Sequence, residues 1–541
     1  MPQIVQDGFS CARRRKKPYR GTATDDNAVH GNPDKQDVAI NKLQCRRYTC
    51  ESGDGMGNPF GRRGSSFQDY GREKMVFSSL TFLCVFFPVI FAAYYLIPSF
   101  RVKNYLLIVG SLLFYTYGEP VYVLLMAGSS VINYLYGRLL EKMPGRKLIL
   151  TLAVLTNFSV LGFFKYTDML IDTWNHLTGF QIPLLEIRLP IGISFFTFQA
   201  LSYVIDVYRG QVKAQKNFGK MLLYISFFPQ LIAGPIVKYH DIERQISDRT
   251  CDIGEIARGM RRFIAGLSKK VLLSNIAALA ADAVFAADPA RINILSAWIG
   301  ALAYLFQIYF DFSGYSDMAI GLGHMFGFSF QENFRYPYIS CSIQEFWRRW
   351  HISLSTWFKE YLYIPLGGNR KGTVRTYINK LTVFFCTGLW HGANWTFVVW
   401  GLYHGAFMLL EGVLPVKKLP KALGHAYAML AVCVGFVIFR ADTLQQGVAL
   451  IGKMFTGWSF EPELMSFALR QMNPLFCLVI AVCVIASMPV KDVFQRWCAG
   501  RGRRSVQVLK CGSYAGSIVL LLLSLLSLSG GTYNPFIYFR F

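Results

Sequence analysis

Residues 381–410 read LTVFFCTGLWHGANWTFVVWGLYHGAFMLL, thirty positions without Asp, Glu, Lys or Arg. About 20 apolar helical residues cross a hydrocarbon core of about 30 Å, so this run reads as membrane sequence. It is too long for one untilted helix, and the expected break falls near Gly388 and Gly392. His391 stands eleven residues after Lys380. On a helix that is about 16 Å, close to the bilayer midplane. An ionisable group at that depth is rare and usually functional. Read as neutral imidazole, His391 can accept a proton. The alternative is a histidine hydrogen-bonded between helices. Asn394, three residues on, would share its helical face and orient the ring or hold a polarised oxygen. His404 falls about 220° away round the same helix and is not expected to join His391.

Ten further charge-free windows lie between Met75 and the C-terminus, at 75–100, 104–118, 120–137, 148–164, 189–205, 221–237, 292–310, 422–439, 471–490 and 511–539. Hydrophobic residues make up 53% of the 541-residue chain and charged residues 16%, against roughly 25% in soluble proteins. The fold class is therefore an all-α polytopic membrane protein of roughly ten to twelve membrane helices, with re-entrant and interfacial pieces. Pro190–Phe196 and Phe228–Pro235 carry helix breakers at membrane depth. They read either as proline kinks or as re-entrant wall. Basic clusters around 138–147, 258–270, 370–380 and 491–510 mark cytoplasmic loops by the positive-inside rule. The formal net charge of +24 fits anionic headgroups better than nucleic acid, for which no basic–aromatic module is present.

Two other polar places stand out. Apolar residues at 343, 346, 347, 350, 354 and 357 fit an amphipathic interfacial helix, with His351 off the centre of the stripe. Arg348 and Arg349 precede His351. They either snorkel or attract phosphates and carboxylates at a cavity mouth, with His351 delivered to it. Asp311 and Asp317 lie six apart and do not share a face. Helix capping, or pairing with an arginine in the 335–349 region, makes them structural supports. The remaining histidines, at 30, 176, 240, 324 and 425, carry no readable signal.

Absences narrow the chemistry. The chain has no G-x-S-x-G, phosphate-binding P-loop, H-E-x-x-H or H-x-x-x-x-D. Twelve cysteines include no C-x-x-C pair, so neither a metal site nor a disulfide framework is expected. The seven cysteines in or beside apolar runs read as buried free thiols.

These stretches, taken in order, resemble the membrane-bound O-acyltransferase family, and most closely its bacterial branch for alginate and related polysaccharide O-acetylation. The text that carries the resemblance begins with Met75–Leu80, Pro190–Gln199, Phe228–Val237 and Tyr309–Asp317. It continues through Asn333–Asn369, Trp390–Trp395, Phe439–Ala441 and Pro535–Phe539, and covers residues 75–541. His324 and the final Arg540-Phe541 depart from the pattern. The resemblance implies a funnelled helical fold, an essential intramembrane His391 and a second functional histidine, His351. It implies acetyl-CoA as acyl donor, with no tightly bound cofactor. The implied acceptor is an exported polysaccharide, or a hydroxyl on an extracytoplasmic acetyltransferase or esterase-like partner, in a bacterial cytoplasmic membrane rich in lipid contacts. In that mechanism His391 takes the hydroxyl proton, His351 orients or polarises a reactant, and Trp390 or Asn394 stabilises the oxyanion. D-alanyl transfer to teichoic acid from a carrier-protein thioester is the alternative within the family. A polytopic transporter is the alternative outside it, but no internal repeat supports one.

Residues 1–74 differ from the rest. They hold 14 Lys+Arg and 9 Asp+Glu and few sustained apolar runs, and are expected to be disordered. They read as a regulatory tail or as in-frame upstream sequence before a natural start at Met75. The second reading is preferred, and mass spectrometry of the native N-terminus tests it: detection of a peptide from residues 1–60 would end it.

Overall fold

Without water at membrane depth, every backbone N–H and C=O must be satisfied inside the protein, and helices do this segment by segment. The computed structural model describes residues 75–531 and 533–536, and every regular element among them is a helix. The expectations for residues 1–74 lie outside the described residues. Among the described residues, seven helices are long and apolar enough to cross a membrane. They are α1 (Tyr122–Lys142), α2 (Arg146–Thr178), α3 (Ile253–Phe285), α4 (Ile294–Met325), α5 (Trp395–Val413), α6 (Lys421–Arg440) and α7 (Arg503–Gly530). Pro462–Gln471 and Pro474–Ala486, bent by 60°, make an eighth if they form one span.

The all-α polytopic architecture is as the sequence indicates; among the described residues the helices that meet both the length and the hydropathy of a span number seven or eight, against the roughly ten to twelve membrane helices expected. Some windows fall on helices too short to cross. The window at 221–237 is divided between Phe218–Ser226 and the single turn Phe228–Leu231. The window at 189–205 enters a 17-residue helix, Ile193–Arg209, most of which is buried in protein. These two breaker-rich windows pack on each other. Gly192 sits at φ +78°, and a Cβ there would stand 2.8 Å from the Leu231 carbonyl oxygen. The interrupted backbone is thus enclosed by protein, the condition under which it is tolerated at this depth.

One span was hidden. α3 contains Lys269 and Lys270 and so left no charge-free window. The charge is neutralised in place: Lys270, 2% exposed, pairs with Asp311 at 2.8 Å. Close helix contact brings them together. A Cβ on Gly266 would meet the Gly314 carbonyl oxygen at 2.5 Å, and Gly259 and Gly321 repeat the contact at 2.6 Å. Small residues let α3 and α4 approach backbone to backbone, as membrane helices do where dispersion replaces the hydrophobic effect. Lys270 also donates to Asn275 Oδ1 at 3.0 Å and to the Pro535 carbonyl. Asp317 pairs with Arg262 at 2.9 Å and Lys269 at 2.7 Å. Both aspartates therefore support the fold, but their partners come from α3 and not from an arginine at 335–349. The nine described cysteines are unpaired; of the seven read as buried, Cys433 and Cys483 are, whereas Cys84, Cys477 and Cys511 face outward from the apolar helices.

A polar cluster lies at the end of Ile193–Arg209. Asp206, fully buried, accepts from Tyr361 Oη at 2.8 Å and is bound by His240 Nδ1 at 2.8 Å. His240 lies in the first turn of a short helix, Tyr239–Ser247, outside the spans. The hydrogen bond to Asp206 raises the His240 pKa above its ordinary value, against the opposing effect of partial burial. A raised folded-state pKa stabilises below the unfolded pKa of about 6.5, and that stability is lost as pH rises through the folded value. Thermal denaturation should therefore show wild type exceeding His240→Ala by more near pH 6 than in alkaline buffer. Equal differences at both pH values would exclude the linkage.

Candidate active site

The expected break in the 381–410 run is present. The helix Thr373–His391 stops at His391, Gly392 is extended, and α5 starts after Asn394. Close packing holds the two arms together: a Cβ on Gly401 would stand 2.3 Å from the Phe384 carbonyl oxygen, and one on Gly388 2.4 Å from that of Phe397. A helix end leaves carbonyls unsatisfied, which is costly away from water. Two consecutive residues of α2 meet two consecutive carbonyls. Tyr166 Oη donates to the Leu389 oxygen at 2.6 Å. Lys165 Nζ donates to the Trp390 oxygen, and also to Ser194 Oγ at 3.2 Å.

This arrangement fixes His391, 8% exposed, in an aromatic cage. Its ring centroid lies 5.0 Å from Trp400, 5.2 Å from Phe439 and 4.9 Å from Trp390, each near perpendicular. The His351 ring is 6.4 Å away. The two histidines, forty residues apart in sequence, thus share one buried place. Trp390 packs on Phe195 at 5.3 Å, Phe198 at 5.8 Å and His351 at 5.8 Å. The indole N–H groups of Trp390 and Trp400 are buried without an acceptor among the described residues.

His351 reaches the site by a route the stripe did not show. Positions 343–357 form two short helices, Ile343–Arg349 and Ile352–Phe358, not one. His351 at the junction takes φ +45°, left-handed backbone that a non-glycine residue adopts only where its surroundings hold it. The break turns it inward to 0% exposure. The arginines stay outside: Arg348 is exposed, and Arg349 binds Glu345 at 2.8 Å and the Arg335 carbonyl at 3.1 Å. Asn394 also departs from expectation. Because the helix ends before it, it does not share a face with His391. Its Oδ1 accepts from Thr396 N at 3.0 Å and its Nδ2 donates to the Asp442 carbonyl at 3.0 Å, so it caps α5. His404 meets Trp347 and Trp400 edge-on, and Trp400 is the ring that also packs on His391.

A cavity of about 790 Å³ adjoins this group. Phe439, which packs on His391, also lines it, with Lys165, Asp282, Gln307, Asn394 and Arg440. Arg440 pairs with Asp282 at 2.5 Å, and Tyr533 Oη donates to the other oxygen of that carboxylate at 2.5 Å. Lys165 and Trp400 were missed by sequence reasoning. Lys165 directly follows the 148–164 window and drew no reading; its isolation within otherwise apolar sequence was the available signal.

Comparison with known proteins identifies the family. Residues 211–416 match the model of the MBOAT, membrane-bound O-acyltransferase family. The Probable alginate O-acetylase AlgI of Pseudomonas putida is 41% identical over 489 residues, 86% of this chain and 100% of that protein. The chain belongs to the membrane-bound O-acyltransferase family and is a multi-pass O-acyltransferase. Among its other relatives, the Peptidoglycan O-acetyltransferase of Helicobacter pylori is 37% identical over 70% of this chain and 80% of that protein. The Teichoic acid D-alanyltransferase of Bacillus subtilis is 27% identical over 46% and 68%.

Lys165→Met removes the donor to the Trp390 carbonyl. It should lower unfolding stability by about 1–3 kcal/mol, read as a fall in melting temperature in detergent, and should lower transfer activity. An unchanged melting temperature would show that the bond is dispensable.

Proposed function

We propose that this chain transfers an acetyl group from cytosolic acetyl-CoA to hydroxyls of an exported polysaccharide, or to an extracytoplasmic partner that completes the transfer. The observation that carries this reading is the juxtaposition of His391 and His351 inside one aromatic cage at a helix break. The acetyl assignment draws on the names of the relatives at 37–41% identity, which are acetylases and an acetyltransferase. The histidines fit a proton-transfer role. The acceptor hydroxyl gives its proton to His391 as its oxygen bonds to the thioester carbonyl carbon. The carbonyl oxygen gathers negative charge, which a buried, unpartnered donor stabilises. Trp390 Nε1 is such a donor, whereas Asn394 is committed to capping. The carbon–sulfur bond then breaks, and the thiolate takes the proton from His391. His351 orients the reactants. The lined cavity beside Phe439 offers a polar approach for the acceptor.

His391→Gln in proteoliposomes supplied with radiolabelled acetyl-CoA and polysaccharide should lose roughly 10²–10⁴-fold in transfer rate, with insertion and melting temperature retained. Full activity in that variant would overturn the assignment. Charging from a D-alanyl carrier protein, and not from acetyl-CoA, would redirect it to D-alanyl transfer.

A further inference from the structure

His351 is held by a residue that carries no charge and sits eighteen positions earlier. The Asn333 amide orientation is fixed by groups of unambiguous character. Its Oδ1 lies 3.2 Å from the backbone N–H of Ser353, which can only donate. Ser353 Oγ donates to the same oxygen at 3.0 Å. Its Nδ2, at the other end, donates to Ser316 Oγ on α4 at 3.1 Å. An amide turned the other way would set N–H against N–H, so the oxygen faces the Ser353 side. His351 Nδ1 lies 3.2 Å from that same oxygen. An amide oxygen only accepts, so Nδ1 carries the hydrogen.

In a neutral imidazole the other nitrogen is then bare. His351 Nε2 is buried and has no hydrogen-bond partner among the described residues. The ring's neighbours are Phe312 at 4.6 Å, Trp390 at 5.8 Å and His391 at 6.4 Å. Asn333 is itself anchored: it is 1% exposed, and its carbonyl accepts from Ile352 N at 3.0 Å. Arg335 N donates to the Arg349 carbonyl at 3.0 Å. Two backbone bonds therefore clamp the 333–335 segment across the junction that holds His351 in its left-handed conformation.

We propose that Asn333 is the positioning residue that locks His351 as the Nδ1–H tautomer, leaving Nε2 as an acceptor-only site beside His391. The proposal deepens the reading given under Proposed function and rests on it for the catalytic consequence. In this tautomer His351 has no hydrogen to offer at Nε2. It can accept from an incoming hydroxyl or from the His391 imidazolium, but it cannot stabilise an oxyanion. The orienting role then has a sign, and the oxyanion falls to the indole donors. Second-layer groups that fix a histidine tautomer are known to matter for function in this way.

The full chain, ¹⁵N-histidine-labelled in lipid bilayers, tests the tautomer directly. The His351 signal is assigned by its loss in His351→Gln. Ring-nitrogen shifts should show Nδ1 protonated and Nε2 unprotonated at neutral pH; the reverse pattern overturns the proposal. Asn333→Leu should mix or invert the tautomers and lower kcat by roughly 10²–10⁴-fold, with KM for acetyl-CoA within about threefold of wild type. Wild-type kcat in that variant overturns the proposal. Asn333→Asp keeps an acceptor on Nδ1. It should retain more activity than Asn333→Leu and move the acid limb of the pH–rate profile to higher pH, since a carboxylate makes His351 more basic. An unmoved limb counts against it. The underlying reading fails separately: an active His351→Gln, with the Nδ1–H tautomer still seen in wild type, would sink the catalytic role of His351 and leave the tautomer standing.

Discussion

A histidine can be displayed deep in a membrane protein at the end of a helix only if the carbonyls exposed by that end find donors. Much of the site follows from this requirement. Leu389 and Trp390 are the carbonyls in question, and Tyr166 and Lys165 are the donors. Ending the helix at His391 frees Gly392 to turn, lets Asn394 cap the next helix, and allows Gly388 and Gly401 to press the two arms together. The aromatic cage of Trp400 and Phe439 closes on the ring because the arms are that near. Each of these contacts would be lost if the run continued as one straight helix.

The same economy governs the buried charges. Lys270 and Asp311 are each expensive alone in low dielectric, and removal of either would strand the other. They occur where glycine pairs have already brought α3 and α4 into backbone contact. Lys165 follows a different solution, with a carbonyl and a hydroxyl as recorded partners. One lysine therefore stitches the scaffold, and the other braces the place where the scaffold is interrupted.

Much of this was readable from the residues. Hydrophobic windows indicated the fold class; His391 stood out by its depth, and His351 by the family resemblance of the text around it. What escaped did so for identifiable reasons. A window rule treats lysine as loop, so it lost Lys165 and the whole of α3. A single helical wheel drawn through 391–394 or 343–357 assumes continuous helix. The break at Gly392 therefore took Asn394 off the His391 face, leaving it to cap α5 at the cavity wall, and the break at His351 turned that ring inward, while Arg348 stayed exposed and Arg349 paired with Glu345. Asn333 is uncharged and unremarkable in sequence. Its importance comes from three acceptor contacts that only the folded chain assembles.

The double anchorage at Leu389 and Trp390 has a mechanical corollary. A helix end held at one point can still spin about its axis; one held at two successive carbonyls cannot. Successive residues differ by about 100° in azimuth. Slippage of α2 by one residue would therefore swing both clamps away and free the His391 ring to leave its cage. The bearing of the proposed catalytic imidazole is thus set by a helix that does not carry it.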